Sequence, residues 1–264
     1  MSHFDLARRF LSVFAVLILT ACASTGPGGL DIDRSIRAKS QDSRVEFVVL
    51  HYTATGKAAS LKILSEHNVS SHYLITDDPR PEVYELVDES RRAWHAGVSE
   101  WYGRTDMNAG SIGIEIVNHG GSETQWAPYS DAQIDTLITL LRDIVQRHQI
   151  KTHNVVGHSD IAPQRKVDPG PLFPWQRLAD AGLARWYSDD LKKQAEQEFM
   201  VAGMPDTLWL QNQLTRAGYA VPQHGQLDRE TRNVVTAFQM RYRPARYDGI
   251  PDLETMAILK ALHH

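Results

Sequence analysis

Residues 45–50, Val-Glu-Phe-Val-Val-Leu, make a short apolar, β-branched run that predicts a buried strand ending at His51. Residues 58–67 follow with helical spacing through Leu61 and Leu64, and 72–76 and 83–87 read as two further strands. Ile112, Ile114 and Ile116 alternate with Gly113, Glu115 and Val117, the period-2 pattern of a strand with two different faces. The clearest helix begins at Ser130. Ser130 with Gln133 forms a capping-box pattern, and Ile134, Leu137, Ile138, Leu141, Ile144, Val145 and His148 then recur at i, i+3, i+4, i+7. Asp135, Arg142, Asp143 and Arg147 occupy its solvated side. Pro163, Pro169, Pro171 and Pro174 keep 162–174 irregular. Residues 189–200 have a charged, helical composition, and Gly203-Met204-Pro205 ends that stretch. Three helical patterns remain at 208–217, 228–242 and 252–262. Strands interleaved with covering helices predict an α/β fold, a central sheet flanked by helices, followed by a small three-helix all-α domain.

Composition narrows the class. The chain has 264 residues, long enough for two domains of roughly 100–150 residues each. With 42% hydrophobic and 23% charged residues it is globular, and a net charge of −4 argues against nucleic-acid binding. The single cysteine, Cys22, excludes an intramolecular disulfide and any Cys-only metal site, whereas twelve histidines are unusually many.

The first residues set the destination. Arg8 and Arg9 precede an apolar run at 10–19 that is too short for a bilayer span, which needs about 20 residues. Leu19-Thr20-Ala21-Cys22 resembles the bacterial lipobox, whose cysteine is lipidated and becomes the mature N-terminus. Ala23 after it resembles lipoproteins sorted to the outer membrane, which implies a lipid-anchored protein on the periplasmic face. The expected organisation is a signal peptide at 1–21, a lipidated N-terminus and tether at 22–34, a catalytic domain at 35–185, a helical linker at 186–204 and a C-terminal domain at 205–264.

Candidate chemistry gathers around Gly157-His158 and Lys166-Val167-Asp168-Pro169-Gly170, a loop stiffened by proline. Zinc accepts His nitrogen and carboxylate oxygen, and a catalytic site keeps three protein ligands plus one open position. His51, His158 and Asp168 would supply such a set. Glu115, on the face of its strand opposite the isoleucines, is either an outward carboxylate or, beside a metal, a general base. Lys166 is either a surface lysine or a positive charge for a developing oxyanion.

These pieces resemble a family. Val49-Leu50-His51-Tyr52-Thr53, Ser71-His72-Tyr73-Leu74-Ile75, Trp94-His95-Ala96-Gly97, Ser111-Ile112-Gly113-Ile114-Glu115 and the 157–170 loop look like the zinc-dependent N-acetylmuramoyl-L-alanine amidases, the family that includes peptidoglycan recognition proteins. With the lipobox, the chain resembles the outer-membrane lipoprotein amidases of Gram-negative bacteria. The resemblance implies a mixed central sheet and one Zn2+ per chain on His51, His158 and Asp168. It also implies Glu115 as proton acceptor and Lys166 as transition-state stabiliser. It places Trp94 and His95 near the muramic sugar and Arg104 and Asn108 near the stem peptide, although Trp94 is equally readable as core packing. His72 is expected to support the site rather than bind metal. The last sixty or so residues resemble a three-helix peptidoglycan-binding domain, departing from its pattern at 241–247. Peptidoglycan and muropeptides are the expected partners and a monomer the expected state. The rivals are a non-catalytic lipoprotein that links the wall to the outer membrane, and a zinc endopeptidase of other specificity.

Overall fold

The computed structural model describes residues 30–122 and 125–262. Residues 1–41 and 42–264 are separate units, and 30–41 carry neither helix nor strand. Cys22 and the segment before it lie outside the described residues.

Within 42–264 the chain runs β1 (Phe47–Tyr52), α1 (Lys57–Glu66), β2 (Tyr73–Ile75), β3 (Val83–Glu85), α2 (Met107–Gly110) and β4 (Ser111–Ile116). A hairpin, β5 (Gly121–Ser122) and β6 (Gln125–Trp126), precedes α3 (Asp131–His148). Then come β7 (Val155–Gly157), α4 (His158–Ile161), α5 (Trp175–Asp180), α6 (Asp189–Ala202), α7 (Thr207–Ala217), α8 (Arg229–Tyr242) and α9 (Leu253–Ala261). Five strands form a mixed sheet in the order β3-β2-β4-β1-β7; β2, β4, β1 and β7 are parallel and β3 is antiparallel at the edge.

The predicted capping box at the start of α3 is present, with Ser130 Oγ accepting from Gln133 N–H and the Gln133 side chain returning to Ser130. The apolar stripe of α3 packs on one face of the sheet, where Val48, Leu50, Ile112, Ile114 and Ile116 meet Ile134, Leu137, Leu141 and Ile144. Phe47, Val49 and Val156 point to the other face, and there they join Leu210, Leu214, Val234, Phe238 and Ile258 in one continuous core. The C-terminal helices therefore close the second side of the sheet. α6, at the position expected for a linker, is a fourth helix of that layer: it packs on α9 and buries Ala195 and Phe199. Its apolar positions needed a surface to cover, and α9 supplies it. Asp206, Asp228 and Asp252 each accept a backbone N–H at the start of α7, α8 and α9, capping them.

Candidate active site

Parallel strands align their C-terminal ends along one edge, and the functional side chains stand there. In the β1–β4 pair His51 lies directly opposite Glu115, while Leu50 pairs with Gly157 of β7, one residue before His158. Alternation along β1 puts His51 on the face of Phe47 and Val49, and along β4 puts Glu115 on the face of Gly113. Three strand ends thus deliver His51, Glu115 and His158 to one place.

The loop after α4 brings Asp168 to them. His51 Nδ1, His158 Nδ1 and Asp168 Oδ2 form a triangle with edges of 3.0, 3.0 and 3.1 Å, and all three residues are buried. Bonds on the far side of each ring assign the hydrogens. His158 Nε2 faces the Ala96 carbonyl at 3.0 Å, so it donates there and leaves Nδ1 as a lone pair. On the other side Ser111 Oγ donates to the Met107 carbonyl and accepts from His95 Nε2 at 3.2 Å. His95 Nδ1 then accepts from His51 Nε2 at 3.1 Å, which again leaves Nδ1 of His51 as a lone pair. Burial, then the neighbouring His158, lowers the His51 pKa to about 4, so the ring is neutral.

Three electron-rich atoms therefore converge with no hydrogen between them, an arrangement that calls for a cation at its centre. A tetrahedral zinc ion about 2.0 Å from each ligand would set them about 3.3 Å apart, close to the observed edges. The donor set fits that ion.

Two glycines permit these approaches. A Cβ on Gly113 would come within 2.4 Å of the His95 ring, and one on Gly157 within 2.6 Å of Pro169 Cδ. The Tyr129 hydroxyl donates to the Pro169 carbonyl at 2.8 Å, and Ser159 N–H to the Asp168 carbonyl at 2.8 Å, fixing the loop from both sides.

The triangle lies in a cavity of about 390 Å³ lined also by Glu115, Lys166, Trp94, His95, Thr53 and Val69. Glu115 Oε2 is buried with no hydrogen-bond partner. Burial, then the Asp168 charge, raises its pKa to about 8, with Lys166 partly offsetting them. With no cation beside it the carboxyl keeps its proton at neutral pH, whereas a cation held by the triangle would favour the ionised form, a strong proton acceptor without an internal partner.

Trp94 is 54% exposed, with the Arg92 guanidinium 4.2 Å from its ring centre, which excludes the core-packing alternative. His95 lines the cavity, yet both its ring nitrogens are engaged in the relay behind His51. His72 sits behind His95 and binds only backbone: Nδ1 accepts from Gly113 N–H and Nε2 donates to the Arg91 carbonyl. Asn108 and Arg104 are placed differently from the peptide contacts expected of them. Asn108 is buried, and its Oδ1 accepts from His95 N–H and Ala96 N–H, bracing the turn from behind. Arg104 does not line the cavity and pairs with Glu46 at 3.1 Å on the surface. Sequence reasoning missed Arg165, whose guanidinium clamps the Ala96 and Val98 carbonyls.

Residues 41–171 match the family of N-acetylmuramoyl-L-alanine amidases, and residues 203–259 match a peptidoglycan binding domain. The chain is 42% identical over 97% of its length to the N-acetylmuramoyl-L-alanine amidase AmiD of Escherichia coli K12, covering 97% of that protein. It belongs to the N-acetylmuramoyl-L-alanine amidase family and is an enzyme of that activity.

Among solved structures it resembles AmpDh3 from Pseudomonas aeruginosa in complex with anhydromuramic pentapeptide, with a TM-score of 0.83 and 42% identity over 88% of this chain and 97% of that one. It also resembles E. coli AmiD in complex with anhydro-N-acetylmuramic acid-L-Ala-D-gamma-Glu-L-Lys, with a TM-score of 0.80 and 42% identity over 89% and 94% of the two chains. The non-catalytic alternative finds no support in these relatives.

Proposed function

We propose that this amidase hydrolyses the amide between anhydro-N-acetylmuramic acid and L-alanine of the stem peptide, in cell-wall recycling, with zinc held by His51, His158 and Asp168. The observation that carries the metal site is the triangle of lone pairs. The substrate rests on the anhydromuramyl peptides in the AmpDh3 and AmiD complexes. When bound there, zinc polarises the amide carbonyl and lowers the pKa of a water towards ~7.

The chain's own groups do the rest. Glu115, level with His51 and free of internal partners, takes a proton from the attacking water and holds it in a buried site until the amine of L-alanine leaves with it. Lys166, on the same cavity wall, places positive charge near the oxygen that becomes an oxyanion. Trp94 offers an exposed indole face for the sugar. The C-terminal helices hold peptidoglycan, as the family match over 203–259 suggests. Lipidation at Cys22 keeps the enzyme on the periplasmic face of the outer membrane, a proposal supported by the lipobox alone.

The test uses the chain from residue 24 onward, stripped of metal and then given zinc. Defined muramoyl- and anhydromuramoyl-peptides are followed by mass spectrometry. Zinc-dependent release of intact stem peptide is expected, faster from the anhydro substrate; equal rates would remove the sugar preference, and cleavage within the peptide would remove the bond assignment. A Cys22→Ser variant of the full chain is expected in the soluble periplasmic fraction, and its retention in membranes would refute the anchor.

A further inference from the structure

Asp160 stands two residues beyond His158 on α4, and three donors share its carboxylate. Oδ2 accepts from Gly157 N–H at 2.8 Å, which caps the turn that starts at His158. The same oxygen accepts from Arg241 Nη1 at 2.6 Å, and Oδ1 accepts from the Tyr219 hydroxyl at 2.6 Å. Arg241 belongs to α8 and Tyr219 to the loop after α7, so both come from the C-terminal helices. The second fork of Arg241, Nη2, donates to the Val155 carbonyl at 3.1 Å on β7, and the guanidinium lies 4.0 Å over the Trp175 ring. The side chains of Asp160 and Arg241 are 1% and 2% exposed.

A buried ion pair is weak evidence for stability, because apolar residues of similar volume often do as well. What distinguishes this one is direction. Its bonds end on the backbone of Val155 and, through Asp160, of Gly157, two points on the short segment that leads into His158. Arg241 also falls where the sequence departs from the ordinary peptidoglycan-binding pattern.

We propose that Arg241 and Tyr219 are positioning residues for the metal site. They hold Asp160, and through it the Gly157–His158 turn, so that His158 Nδ1 stays in register with His51 and Asp168. The C-terminal helices thereby complete the site from behind, in addition to any role in holding the wall. This rests on the reading of His158 as a zinc ligand.

The experiment compares Tyr219→Phe, Arg241→Met, Arg241→Lys, Asp160→Asn and the Asp160→Asn/Arg241→Met pair with the unmodified sequence, in the chain from residue 24 onward. It reads zinc affinity by competition with a chromophoric chelator, kcat and KM at saturating zinc, and the thermal midpoint. Tyr219→Phe and Arg241→Met are expected to weaken zinc binding roughly 10–100-fold and to lower kcat, leaving KM unchanged, as loss of groups behind metal ligands does. Arg241→Lys should recover part of both, since an ammonium can replace one fork only. The double variant should be no worse than its worse single, because both act through one carboxylate. Variants that lower the thermal midpoint yet keep zinc affinity and kcat would overturn the proposal and leave a purely structural pair. If Arg241→Met does not fold, Tyr219→Phe decides alone, since it removes a single hydroxyl. An unmodified chain that binds no zinc would sink the metal-site reading itself; a zinc-binding chain with unaffected variants would sink only the positioning role.

Discussion

The two faces of the central sheet are built from the same strands and serve opposite ends. On the α3 side, Val48, Leu50, Ile112, Ile114 and Ile116 are fully buried aliphatic residues. On the other side the alternate residues begin as core, Phe47 and Val49, and end as chemistry, His51 and, on the neighbouring strand, Glu115. The change takes place within one residue pair along β1. The proposed site takes only the end of β1, the end of β4 and the residue after β7, while the aliphatic face sets where those positions stand.

Substitutions on the two faces should therefore separate activity from stability. The largest effect expected is from metal removal: a chelator abolishes turnover and added zinc restores it, measured as stem-peptide release. Glu115→Ala should lower kcat by roughly 10²–10⁴-fold while zinc remains bound, read by metal analysis beside the kinetics. On the opposite face, Ile114→Ala should cost about 2–5 kcal/mol in denaturant unfolding and leave the kcat of the folded protein unchanged. A loss of kcat there equal to that of Glu115→Ala would abolish the contrast.

A finer test uses pH on the metal-free protein. Glu115 binds its proton more tightly folded than unfolded, so its contribution to stability is full below pH 4.5 and is lost as pH rises through about 8. Glu115→Gln cannot ionise, so it should match the unmodified chain near pH 4.5 and exceed it at about pH 9. The gap there should be on the order of 3–5 kcal/mol, at about 1.4 kcal/mol per pKa unit. His51, whose lowered pKa gives a contribution lost on acidification, is common to both proteins and cancels from the difference. The smallest effect expected is that of Trp94→Ala, which should raise KM roughly fivefold, about 1 kcal/mol, with kcat intact.

Much of this was legible in the sequence where signals are local. The capping box of α3 and the aspartates that start α8 and α9 are short-range devices, and each is where the residue pattern put it. His51, His158 and Asp168 could be picked out by residue type and by strand and loop ends, and the fold brings them together. β7 escaped because only Val155 and Val156 precede its glycine, too few apolar positions to set a pattern, and the hairpin strands β5 and β6 have two residues each. Asn108 and Arg104 look like ligand-facing residues in a motif, but the direction of a side chain from a turn is set by packing that the motif does not encode. The Asp160–Arg241 pair spans 81 residues and has no local signature at either end.

The core shared by the sheet and the C-terminal helices has a geometrical consequence. Residues 42–264 form one body, so the span from the cleft to α7–α9 is a fixed length. A polymer gripped by those helices would be cut at a constant offset from the grip, and the enzyme would act as a gauge as well as a blade.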